Sequence, residues 1–160
     1  MKNWLKVCAS MRVRTKDDSG QALVELALST SLLFLILLGA VEFARATYAA
    51  IEVSNAARAA AQYGAANGGN TGDVTGMQNA AQADSFNLGT TVTLNGTPTV
   101  VNSCSDGGTY SATTGCGNNA HVMTLLTVRT QASFAPLIHV AGLPTTFNLY
   151  GFAQQQVMGL

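Results

Sequence analysis

The chain has 160 residues, 48% hydrophobic and only 10% charged, against about 25% charged in an ordinary soluble domain. Its apolar content and zero net charge exclude a wholly disordered chain and a globally basic nucleic-acid binder. Two histidines, three cysteines and eight carboxylates leave little material for an active site or a metal cage, so no enzyme, cofactor or metal centre is expected.

The neutral total hides an asymmetry. Residues 1–20 hold Lys2, Lys6, Arg12, Arg14 and Lys16 against Asp17 and Asp18, a net +3; the remainder is −3. From Leu26 to Val41 sixteen residues pass without a charge, and residues 22–41 form an apolar run of twenty broken only by Glu25. As a helix this run is roughly 30 Å long, enough to cross a bilayer core. Ser29, Thr30 and Ser31 interrupt it mildly, because hydroxyls bond back to the helix backbone. Its length and basic flank argue for a membrane helix over a soluble core helix. The positive-inside rule keeps the N-terminus cytoplasmic and exports everything after Val41.

The helical pattern continues over residues 42–66, rich in alanine and free of proline. Val41, Ala44, Tyr48 and Ile51, continued by Asn55, recur at spacings of three and four and predict one apolar stripe. Glu42 and Arg45 are surface neighbours. Arg58 reads either as a solvated residue or as an inter-subunit contact. Asn67-Gly68-Gly69-Asn70 stops the helix, so a single helix is expected from 21 to 66, followed by a linker over 67–76.

Residues 77–160 are expected to form a small exported α+β domain. Met77–Phe86 predicts a short amphipathic helix. Thr90–Leu94, Thr99–Asn102, His121–Phe134 and Thr146–Met158 predict strands, with turn signals at Asn95-Gly96 and Asp106-Gly107-Gly108. A three- or four-stranded antiparallel sheet packed on the outer part of the long helix follows. Cys104 and Cys116 lie in a Gly/Ser/Thr/Asn-rich stretch on the exported side and are placed to pair in an oxidising compartment. His121 and His139 have no Cys/His/Asp cluster near them and read as sheet or loop residues. No phosphate-binding glycine loop is present.

Three export signals fit such an N-terminus to different degrees. A conventional secretory signal has a shorter apolar stretch, although Ala44-Arg45-Ala46 offers a small-x-small match. A lipoprotein signal fails because Cys8 follows only seven residues, two of them lysines. The third kind is cut before the apolar run: a basic leader, a glycine, four uncharged residues, then a glutamate. Residues 16–28, KDDSGQALVELAL, have that form, with Gly20 ending the leader, Gln21 becoming the first residue and Glu25 the fifth.

This arrangement resembles the cleavage site of type IV pilin-like proteins. More closely, GQALVELAL (20–28) and SNAARAAAQYGA (54–65) resemble TadE-like minor pseudopilins of the tight-adherence (Flp/Tad) pilus system. VRTQASFAPL (128–137) and a last strand-like segment look like the family's tail. Major pilins of that system are shorter and carry Glu-Tyr where this chain has Glu25-Leu26, which speaks for a minor component. The larger TadG type has an added domain for which this chain has no room. Asp17, Asp18 and Ser19 stand where a basic residue often precedes the glycine, and no proline interrupts the apolar run.

The resemblance implies a pilin-like α+β fold, with the leader 1–20 removed by a prepilin peptidase between Gly20 and Gln21. It implies a bacterial inner-membrane location with possible incorporation into a surface pilus for attachment and biofilm formation. The implied partners are other pilins and pseudopilins, the inner-membrane assembly machinery and the lipid bilayer, with no nucleic acid. It also gives Glu25 a role in assembly. An ionisable group in hydrocarbon costs about 2.5–3.5 kcal/mol and calls for a partner. The α-amine freed at Gln21, in the same molecule or a neighbour, is such a partner, and a neighbour's amine would fix the axial stagger; the alternative is that Glu25 snorkels at the headgroup boundary with no partner. The alternatives are a single-pass, membrane-anchored binding or adhesion protein that never polymerises, and a secreted protein cut after Ala46.

Overall fold

The computed structural model describes residues 19–117, 119–139, 142 and 144–158. The rest of the expected leader, residues 1–18 with Cys8 and all five leader cations, lies outside the described residues. The fold is α+β, as expected: a long apolar N-terminal helix and a small antiparallel sheet. The chain divides into two units, one ending at Ala40 and the other beginning at Val41.

Helix α1 spans Ser19–Ala65 and enters both units. In the first unit every residue from Gly20 to Ala40 is exposed. Leucine, isoleucine, valine and phenylalanine occupy all sides of the helix, so no single face is left for a soluble core. Ser31 satisfies its hydroxyl by donating to the Ala27 carbonyl at 2.9 Å, which removes the polar cost of placing it in an apolar medium. This is a helix long and apolar enough to cross a membrane.

In the second unit α1 buries a different face from the one its large residues predict. Val41, Tyr48 and Ile51 are about half exposed, whereas Ala49, Val53, Ala56, Ala57, Ala60, Ala61 and Ala65 are buried. The expected stripe is therefore corrected to an alanine face. Small side chains let a helix backbone approach a sheet closely, and here the sheet is made for that approach.

The sheet is centred on β3, Val122–Phe134, which pairs along one edge with β4, Phe147–Gln156. Alternation along β3 sends Thr124, Leu126, Val128, Thr130 and Ala132 into the core. Gly151, Ala153 and Val157 of the last segment join them. At Gly151 an added Cβ would meet the Val53 carbonyl oxygen of α1 and the Thr130 hydroxyl. The Thr130 hydroxyl donates to that same carbonyl at 2.7 Å. At this crossing helix and sheet thus meet through backbone, a glycine and a buried hydroxyl, while nearer the helix end Gly64 lies against Leu126 of β3.

The other edge of β3 carries β1, Thr93–Leu94, and β2, Thr99–Cys104, one after the other. They do not form the hairpin that Asn95-Gly96 predicts. Residues 95–98 occupy four positions between Leu94, opposite Thr130, and Thr99, opposite Thr127, where β3 has only Val128 and Arg129. Asn95-Gly96 is thus a bulge in one edge strand, with Gly96 at φ +82° supplying the left-handed backbone.

The expected linker 67–76 is also structured. It holds a 3-10 helix, Gly68–Gly72, and the first turn of α2, Val74–Asp84. Asp73 caps α2 by accepting from the Gly76 N–H at 2.8 Å, so the helix starts before Met77. Gln78 of α2 donates to the Val92 carbonyl and accepts from the Leu94 N–H, at 2.7 and 2.8 Å. Its amide thereby occupies the free edge beside β1.

Cys104, at the end of β2, is bonded to Cys116 with Cα atoms 5.6 Å apart. The sequence separation of twelve corresponds to about 3 kcal/mol in the chain-entropy account. Thiol labelling of the protein taken from cells, denatured without reductant, is expected to leave both cysteines unmodified. Two freely labelled thiols would refute pairing in the cell.

Candidate functional site

The residues singled out for processing and assembly lie at the start of α1. Gly20 and Gln21 are in its first turn, and Glu25 follows Gln21 by four, so the two side chains share a helix face. All three are exposed. The first N–H groups of a helix have no intrahelical acceptor, and glycine costs about 1 kcal/mol relative to alanine in a helix. Unwinding the Gly20–Gln21 bond into an extended strand therefore disturbs little of α1. A Cβ at position 20 would meet nothing within 4 Å, so substitutions there test processing without disturbing packing. Among the described residues Glu25 has no ion-pair partner.

A second polar cluster begins one residue beyond the apolar run. Glu42 accepts from Arg45 at 3.0 and 3.1 Å, as the three-residue spacing predicts. The same carboxylate also accepts from the backbone N–H of Leu137, just after β3, while the Arg45 guanidinium lies 5.4 Å from the centre of the Phe134 ring. Sequence spacing shows the first contact but not the others, because 95 residues separate Glu42 from Leu137. Beside this cluster an open groove of about 780 Å³ is lined by Val41, Ala44, Tyr48, Leu88, Phe134 and Leu149, among others.

At the other end of the helix the Tyr63 hydroxyl donates to Asp73 at 2.7 Å. The Gly76 N–H first, and Tyr63 second, hold the Asp73 carboxyl below the usual carboxylate range. The same bond, with some loss of solvent, pushes the Tyr63 phenol up. This is a structural clip joining α1 to α2.

Arg58 is exposed beside Phe152 and Gln154. His121 and His139 are exposed, and among the described residues no three His, Cys, Asp or Glu side chains converge. The glycine that sequence reasoning missed is Gly151. Its signal was available: a lone glycine between Tyr150 and Phe152 in a strand marks a close backbone approach.

No curated protein and no solved structure matches this chain. Residues 20–62 match the family model of TadE-like protein, 43 of the 160 residues, beginning at Gly20 and taking in Gln21, Glu25 and most of α1. Over that stretch α1 is similar to the TadE-like family.

Proposed function

We propose that this protein is a minor pseudopilin, cut by a prepilin peptidase after Gly20, that takes part in assembling a Tad-type surface pilus used for attachment and biofilm formation. The observation that carries the reading is the coincidence of the TadE-like match with an apolar helix that its own chain leaves wholly exposed from Gly20 to Ala40. Such a surface needs lipid before assembly and neighbouring helices after it. Prepilin peptidase, sister pilins and the inner-membrane assembly machinery are the partners this reading requires.

The mature N-terminus tests it. Mass spectrometry of the membrane-bound protein is expected to find Gln21 first. Gly20→Val is expected to leave the precursor uncut, because a β-branched side chain enters the cleavage point while packing is undisturbed. An intact leader on the wild-type protein would overturn the pseudopilin reading in favour of a membrane-anchored protein that does not polymerise. A terminus at Thr47 would make it a secreted protein.

A further inference from the structure

The connection between β3 and β4 is unusual for a loop. From Ala135 to Thr146 the sequence has no Asp, Glu, Lys or Arg, and its described part exposes Leu137 by 68% and Ile138 by 42%. Its position along α1 is fixed by contacts within the C-terminal unit. The Leu137 N–H donates to Glu42, Thr130 and Gly151 meet Val53, and the Met158 N–H donates to the Ala65 carbonyl at 2.9 Å. Strand β4 therefore runs in the same direction as α1, and the end of the sheet carrying Phe134 and Phe147 lies at the level of Glu42. Glu42 is the first residue after the apolar run. The opposite end of the sheet carries the disulfide and a polar connection of Ser, Asp, Gly, Thr and Asn.

We propose that Leu137 and Ile138, just after β3, are a second membrane contact and enter the outer interfacial layer of the bilayer that residues 22–41 span. The proposal rests on the reading of α1 as a spanning helix, and lipid is the occupant because Glu42, which holds the Leu137 N–H, directly follows that span in sequence. Glu42 and Arg45 neutralise one another at the boundary, and Glu42 satisfies the Leu137 N–H. Neither a free charge nor an unpaired donor then has to leave water. Phe43 and Phe147, 72% and 41% exposed, add apolar side chains of the kind that interfacial segments bury at the headgroup–acyl boundary.

Tryptophan quenching tests this on the full chain, reconstituted in phosphatidylethanolamine/phosphatidylglycerol vesicles containing lipid spin-labelled near the headgroup or along the acyl chain. The single native tryptophan is first removed by Trp4→Phe. Leu137→Trp and Ile138→Trp are expected to lose fluorescence to the headgroup label, Leu35→Trp to the acyl-chain label, and Ala112→Trp, in the disulfide loop, to neither. Quenching at 35 with none at 137 or 138 would overturn the loop contact and leave the spanning helix standing. Absence of quenching at 35 would overturn the membrane reading and the loop contact with it. A blue shift at 137 that appears only as the protein-to-lipid ratio rises, without quenching, would assign the loop to a second copy of the chain and refute the lipid contact.

Discussion

Gly151→Val is expected to force α1 off the sheet and to remove a large part of the C-terminal unit's stability. A Cβ at this position meets the Val53 carbonyl oxygen and the Thr130 hydroxyl, and neither is the end of a flexible side chain. The carbonyl belongs to the middle of a helix, and the hydroxyl is buried and already bonded to it. Overpacking a core costs about 1–3 kcal/mol and more where backbone must move, against a total of about 5–15 kcal/mol for a typical domain. In mild detergent, the urea midpoint for protease sensitivity of the sheet should fall by about 1–2 M, taking an m-value of about 1–3 kcal/mol/M. Gly151→Ala should show a smaller shift in the same direction. Thr130→Val removes one buried hydrogen bond but keeps the shape, and should cost about 1 kcal/mol. Phe152→Ala, next in sequence but 59% exposed, should shift the midpoint little. A wild-type midpoint for Gly151→Val would show that the close contact is not what holds helix and sheet together.

That contact also explains which parts of the fold were readable in the sequence. The long helix was, because a charge-free run followed by an alanine-rich one leaves no other economical structure. The strands were, because alternation in β3 and the aromatic spacing in β4 are local patterns. The buried face of α1 was not. Ranking by hydrophobicity selects Tyr48 and Ile51, but the helix docks by its alanine face because the core already holds Leu126 and Val128 and the backbone approaches closely at Gly151. That choice depends on residues about a hundred positions away. Asn95-Gly96 failed for a related reason. The dipeptide supplies a left-handed backbone, and only the pairing of both flanks with β3 makes that a bulge rather than a hairpin. The stretch 67–76 has linker composition, yet Asn67 and Asp73 cap successive helices there. Gly20, Gln21 and Glu25 could be singled out because their meaning lies in order along the chain. The Glu42–Leu137 contact was illegible because its meaning lies in the fold.

Glu25→Gln and Glu25→Leu are expected to abolish entry into the pilus while leaving folding, insertion and cleavage intact. Glu25 is exposed and belongs to the first of the two units, so neither substitution alters a residue of the C-terminal core. Leucine makes the run more apolar and favours insertion. Glutamine keeps the size and loses the charge. Cleavage after Gly20 would free an α-amine at Gln21, one helical turn away. Neutralising Glu25 leaves that cation without a partner once neighbouring helices have replaced lipid and water. Removing one member of a buried ion pair costs about 3–5 kcal/mol, which at about 1.4 kcal/mol per tenfold is a factor of roughly 10² to 10³ or more against each incorporation. A filament that requires the step should fail to form. The measurement compares mature protein in the membrane with protein in sheared pili, in cells where variant and wild type are equally abundant. Normal incorporation of both variants would reduce Glu25 to a tolerated residue at the edge of the apolar run. Accumulation of uncut precursor would assign it instead to recognition by the peptidase, because the leader must be removed before any amine exists to pair.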